Sequence, residues 1–300
     1  MSSYLNSTFN IQQCMKHPPW LRVKIGSNEQ FVRMRQLVDA NHLHTVCESA
    51  SCPNIGECWG RGTATFMLLG NRCTRACRFC DVPPGQPENV DEAEPQRVAE
   101  AIRLLGLQHA VITSVTRDDL PDGGATLWAE TIRQVRALNP ACRIEVLIPD
   151  LQGAEAALRL VFEARPDILG HNLETVPRLY PLVRPQADYQ RSLDVLRRAK
   201  AAKLLTKSGV MLGLGETLAE VSAVMRDLRD IGCDLLTLGQ YLQPTQAHAP
   251  IAKYWTPAEF HQLQTEGEHL GFRHVEAGPL VRSSYHADQL EEETIVIKRV

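Results

Sequence analysis

Cysteines at spacings of four and three, Cys73, Cys77 and Cys80 in the stretch CTRACRFC, can hold a metal through three thiolates. Structural zinc and most iron–sulfur clusters take four protein ligands, so a tight triplet leaves one coordination position for something else. Fifteen residues upstream of Cys73 ends a second triplet, Cys47, Cys52 and Cys58 in CESASCPNIGEC, with spacings of five and six. Zinc is the ordinary alternative for any cysteine cluster, but its usual signature is a pair of C-x2-C units, which neither triplet supplies. A [4Fe–4S] cluster suits three thiolates and an open position better, because its fourth iron is left to bind a substrate or cofactor.

Composition weighs against a disulfide framework. The chain has 300 residues, is 44% apolar and carries an odd number of cysteines, nine, of which six crowd into this one segment. Such a chain buries a large core without covalent staples. The first residues, MSSYLNSTFNIQQCMKHPPW, lack an apolar export region, and nowhere do 18 apolar residues run together. A reducing cytoplasm is the expected setting, with no membrane span. A net charge of −3 and a pI near 6.4 give no general attraction to a phosphate backbone, so a small molecule or a protein is expected as partner, not nucleic acid.

The elements that must position the cysteines can be read from periodicity. Short apolar, β-branched runs at 63–70, 109–115, 143–150, 167–174, 205–213 and 235–242 alternate with amphipathic stretches at intervals of about 30 residues. The pattern predicts an α/β fold of six βα units, too few to close the usual eight-unit barrel, hence a partial (β/α)6 barrel with a lateral opening. Residues 63–273 form this unit, and 1–62 and 274–300 are expected as N-terminal and C-terminal extensions of the same domain. Chemistry in parallel βα barrels sits on the loops after the strands, and CTRACRFC directly follows the first strand.

With these residues in hand the chain resembles the radical S-adenosylmethionine (SAM) enzymes, through C-x3-C-x2-C with an aromatic residue, Phe79, before the last cysteine. The second triplet, RSSY at 282–285, and the stretches ITSVTRDDLPDGGA, HNLETV, KSGVMLGLGE, GQYLQP and GPLVRSSYHA narrow the resemblance to the lipoyl synthases. That resemblance implies insertion of two sulfur atoms at C6 and C8 of an octanoyl group amide-linked to a lysine of a carrier protein. Those carbons bear unactivated C–H bonds that no side-chain base can deprotonate, so a radical is required. It further implies two [4Fe–4S] clusters. Cys73, Cys77 and Cys80 would hold the one that cleaves SAM, and Cys47, Cys52 and Cys58 an auxiliary one that donates sulfur. The fourth auxiliary ligand would be a serine of RSSY, assigned to Ser284 with Ser283 as the near alternative. An alkoxide is harder than the thiolates that suit such clusters and is the ligand expected to leave. Read from the residues alone, RSSY is an ordinary turn or cap for YHADQLEEE.

SAM contacts follow from the same resemblance. GVMLGLGE at 209–216 matches G-x-I-x-G-x-x-E, with Met211 in place of isoleucine, and would line the adenine pocket. Asn172 and Glu174, two apart at a strand end and so on one face, would meet the ribose hydroxyls. Asp122 to Ala125, DGGA, would contact the methionyl amino group and Arg184 the carboxylate. Implied partners are octanoylated lipoyl-carrier domains, namely 2-oxoacid dehydrogenase E2 subunits and the glycine cleavage H protein, with a ferredoxin or flavodoxin reductant and an iron–sulfur carrier. The ten histidines show no paired ligand spacing and read as structural or surface residues. Cys142 and Cys233 read as small buried hydrophobes, and Cys14 sits in an unpatterned segment. Two other functions compete: a structural protein with two zinc sites, and a different sulfur-inserting radical enzyme.

Overall fold

A computed structural model describes residues 18–21, 28–41, 43–61 and 63–285. Cys14, and the tail segment of YHADQLEEE beyond Tyr285, lie outside the described residues. The N-terminal part carries helix α1 (Glu29–Ala40), the two-residue strand β1 (His44–Thr45) and the short helices α2 (Val46–Ser49) and α3 (Ile55–Gly60). The repeat then begins: β2 (Thr65–Leu68), α4 (Glu94–Leu105), β3 (His109–Ser114), α5 (Ala125–Leu138), β4 (Arg143–Leu147), α6 (Glu155–Glu163) and β5 (Ile168–Gly170). It continues through α7 (Tyr180–Val183), α8 (Tyr189–Ala201), β6 (Leu205–Leu212), α9 (Leu218–Asp230), β7 (Leu235–Gln240), α10 (Pro257–Leu270) and β8 (His274–Gly278).

The strands form one sheet in sequence order, β1 to β8. Strands β2 to β8 pair parallel, and β1 pairs antiparallel with β2. The sheet does not close, since β1 and β8 end it as separate edges. The six expected strands are present, and the expected count of units is extended at both ends. A two-residue strand has too little pattern to be read from sequence, which is why β1 escaped it. Strand β5 ends at Gly170, where a Cβ would press on the Val146 carbonyl.

The helices have ordinary local causes. Thr217 and Thr256 cap α9 and α10 with reciprocal capping boxes through Glu220 and Glu259, and Gly106 and Gly271 end α4 and α10 in the left-handed conformation. Apolar faces at three- and four-residue spacing, such as Val98, Ala101, Ile102 and Leu105 of α4, pack on the fully buried strands. Cys142 and Cys233 are buried in this packing, as expected for small hydrophobes. Among the described residues no helix is long and apolar enough to cross a membrane.

Candidate metal centres and cofactor cavity

The loop between β2 and α4 carries Cys73, Cys77 and Cys80 at the C-terminal end of the parallel strands. Main-chain bonds close it: Cys73 N–H donates to the Pro83 carbonyl at 3.0 Å, and Gly85 N–H donates to the Cys73 carbonyl at 2.9 Å. Arg75, nearly buried, anchors it to two other loops by donating to both carboxylate oxygens of Asp118 at 2.6 and 2.9 Å and to Asp150 at 2.6 Å. Arg78 N–H donates to the Val183 carbonyl, and Ala76 N–H to the Gln186 side chain. The Cys73 sulfur accepts the main-chain N–H groups of Arg75 and Thr116 at 3.4 and 3.3 Å, which fixes its position in the loop. Burial pushes the Cys80 thiol up to about 12 and raises Cys77, where Arg184 opposes the shift. Such thiols ionise only when a cation replaces the proton.

These three cysteines line a cavity of about 520 Å³ together with Phe79, Asn172, Glu174, Arg184 and Met211. Asn172 and Glu174 lie beyond the end of β5, so strand pleating is not what brings them there. Glu174 has φ 65°, and its N–H and carbonyl bridge to Gly209 and Met211 of β6. Burial raises the Glu174 carboxyl pKa, against the pull of Arg184 and Asn172. Arg184 donates through one Nη to the carbonyls of Asn172 and Leu173 at 3.0 and 2.9 Å and stacks on Tyr180 at 5.1 Å. Its buried Nε has no partner. In GVMLGLGE, Glu216 accepts the N–H groups of Gly213 and Leu214 and the Trp255 indole N–H, clamping the turn that follows β6. Asp122 of DGGA instead accepts from Gly124 and Thr126 at the start of α5, and DGGA is not among the residues lining this cavity.

The second triplet lies on α2, α3 and their connection. Cys47, Cys52 and Cys58 line one smaller cavity with Thr65, Arg282, Ser284 and Tyr285, whereas Ser283 does not border it. The tail segment reaches this place through tertiary bonds. Asn54 Nδ2 donates to the Leu280 carbonyl at 2.7 Å, Tyr285 donates to Glu57 at 3.2 Å, and the Thr65 hydroxyl donates to Ser284 Oγ at 2.9 Å. Burial lifts Cys47 to about 11 and Cys58 to about 12, and it raises Cys52, where Arg282 opposes the shift. Arg282, half-buried, borders both cavities.

Among the described residues no three His, Cys, Asp or Glu side chains converge as a single metal ion requires. Each triplet instead lines the wall of a cavity, as suits a cluster in which every thiolate meets a different iron. Several side chains that build these sites gave no sequence signal. Arg75 is held by carboxylates 43 and 75 residues away, a pairing that only the fold reveals. His171, expected to be structural, lines the larger cavity. Its Nδ1 lies 2.9 Å from the Ile148 carbonyl, its Nε2 has no partner, and burial together with Arg184 lowers its pKa to about 4.

A family model, the Radical SAM superfamily, matches residues 67–228. The chain is 57% identical over 276 residues to a lipoyl synthase of Caldanaerobacter subterraneus, covering 91% of this chain and 96% of that protein. It is 55% identical to a lipoyl synthase of Rubrobacter xylanophilus, covering 92% and 87%, and 56% identical to one of Koribacter versatilis, covering 92% of both. Among solved structures, the hydrogenase maturase HydG superposes with a TM-score of 0.55 at 15% identity over 80% of this chain and 54% of that one. Streptococcus suis SuiB bound to S-adenosylmethionine gives 0.53 at 10% identity over 72% and 51%, and at such identities both matches speak for the fold alone.

Proposed function

Since the chain belongs to the lipoyl synthase family of the Radical SAM superfamily, we propose that its two cavities divide the reaction between two [4Fe–4S] clusters. The protein is a sulfur-inserting enzyme of that family, acting on the octanoyl group of a lipoyl-carrier protein with SAM as co-substrate. Cys73, Cys77 and Cys80 hold one cluster, and Cys47, Cys52, Cys58 and Ser284 hold the other. When bound, the first supplies the electron that cleaves SAM, and the second supplies sulfur. The zinc-scaffold and other sulfur-inserter readings give way to the identity of more than half the residues with lipoyl synthases over nine-tenths of the chain.

The observation that carries the division is the gathering of Cys47, Cys52, Cys58 and Ser284 around one cavity, separate from the one lined by Cys73, Cys77 and Cys80. The chain's own groups then have distinct tasks. Arg184, with an unpartnered Nε in a buried wall, receives the methionyl carboxylate. Asn172 and Glu174 face the ribose, while Met211 and Phe79 supply apolar walls for the adenine and for SAM packing. Functionally, residues 1–62 bring the auxiliary cysteines, 63–273 the SAM-binding barrel and 274–300 the serine. The carriers are E2 subunits of 2-oxoacid dehydrogenases and the glycine cleavage H protein. A ferredoxin or flavodoxin gives electrons, and an iron–sulfur carrier reloads the auxiliary site. Cysteine usage supports a reducing, cytoplasmic setting.

The test separates the triplets. Protein purified without air should hold about eight irons. Replacing Cys73, Cys77 and Cys80 with alanine should leave about half of them and abolish 5′-deoxyadenosine formation. Replacing Cys47, Cys52 and Cys58 should also halve the iron but keep SAM cleavage, with no sulfur reaching an octanoyl-lysine peptide. Cleavage surviving in the first variant, or thiolated product from the second, would overturn the assignment.

A further inference from the structure

We infer that Thr65 is a positioning residue for the serine ligand of the auxiliary site, an inference that rests on the assignment of Ser284 above. Thr65 opens β2, the first parallel strand, and is 4% exposed. It touches two of the four candidate ligands. Its hydroxyl donates to Ser284 Oγ at 2.9 Å, and its main chain forms a hydrogen bond with the Cys47 side chain. It also lines the cavity that Cys47, Cys52, Cys58 and Ser284 share. One strand residue thereby sets the serine in register with the triplet, although Ser284 lies 219 residues further along the chain.

The direction of the bond is fixed by chemistry. A serine bound to iron is an alkoxide with no proton left to give, so between the two hydroxyls only Thr65 can donate. A hydrogen bond to an anion is stronger than one between neutral hydroxyls. Thr65 therefore favours the iron-bound serine over the free one and also holds its oxygen in place. The backbone of β2 is paired on both sides, with β1 and β3, so the donor sits on a rigid element. The neighbouring Ser283 meets Ser284 and Thr65 only at a second cavity, beside Lys207 and Glu145, and receives no such bond from Thr65.

The substitution Thr65→Val removes the hydroxyl while keeping branching and size, and Thr65→Ser keeps the hydroxyl. Each variant, with Ser284→Ala as reference, is loaded anaerobically with ⁵⁷Fe and studied without SAM. Two quantities are read: the Mössbauer component of the oxygen-bound iron, and the rate at which auxiliary iron passes to a ferrous chelator. Ser284→Ala should lose the component. Thr65→Val should release that iron roughly tenfold faster than the parent, the scale of losing one charge-assisted bond, while Thr65→Ser stays near the parent. SAM cleavage through Cys73, Cys77 and Cys80 should persist in all three, showing that the barrel is folded. If Ser284→Ala loses the component and Thr65→Val matches the parent in both readouts, the role of Thr65 is wrong while the serine ligand stands. A Ser284→Ala protein with the component intact overturns the ligand assignment, and the role of Thr65 with it.

Discussion

Arg184 concentrates several demands on one side chain. Its guanidinium holds two main-chain carbonyls and stacks on Tyr180, while its Nε stays unpartnered in a buried wall. A buried donor without a partner is costly, and a carboxylate placed there repays it with a charge-assisted bond. Arg184→Gln should weaken equilibrium SAM binding on the order of tenfold to a hundredfold, with iron content unchanged. Arg184→Lys should not restore it, because an ammonium cannot reach the carbonyls and the ligand in one plane. Binding at parental strength in Arg184→Gln would place the carboxylate elsewhere. At this scale the sequence was informative where chemistry is local. Six cysteines announce themselves by spacing alone, and RSSY gains meaning only beside them. Arg75, Asp118 and Asp150 were silent because their bond spans loops, and His171 because a lone histidine has no pattern.

Elements confer reach on these residues. Strand β7 has no side chain at Gly239, and a Cβ there would collide with the Val281 carbonyl oxygen. The glycine lets the segment leading to Ser284 lie directly on the sheet, with Arg282 donating to the Gln240 carbonyl at 3.2 Å. Gly239→Ala should push that segment away and cost about 1–3 kcal/mol. Iron analysis should show loss from the auxiliary site while SAM cleavage continues; unchanged auxiliary iron would mean that the segment tolerates the shift. Inside the sheet, Glu145 of β4 accepts from Lys207 of β6 at 2.7 Å and lies 3.1 Å from His109 of β3, all three buried. Burial alone would raise the Glu145 pKa, but Lys207 and His109 outweigh it and hold the carboxyl at about 2. The stability this contributes is full above the ordinary carboxylate value and is lost as pH falls from about 4.5 towards about 2. Glu145→Ala leaves Lys207 buried and unpaired and should cost about 3–5 kcal/mol in denaturant unfolding. It should also flatten the acid limb of the stability curve, and an unaltered acid limb would assign that limb to other carboxylates. Alternation of β-branched runs with amphipathic stretches made all six strands legible. The buried charges were not legible, since Glu145 lies between Ile144 and Val146, Lys207 between Thr206 and Ser208, and neither pattern names a partner on another strand.

For the molecule as a whole, the open edges of the sheet are where both terminal segments gather. β1 lies at one edge and β8 at the other, and the tail after β8 returns to bind α3 and the start of β2 through Asn54, Glu57 and Thr65. Six repeats predicted a barrel with a gap. The use of that gap was not predictable from periodicity, because the segments that meet there are the two without a repeat.

That meeting also sets a timetable during synthesis. Cys47, Cys52 and Cys58 leave the ribosome well ahead of Ser284, and at about 5–20 residues per second the interval is roughly 10–50 s. For that time the triplet exists as three thiols without its oxygen ligand, on a chain whose barrel is still incomplete. Translation itself therefore orders the assembly of the auxiliary site: cysteines first, Thr65 on its strand next, and the serine last.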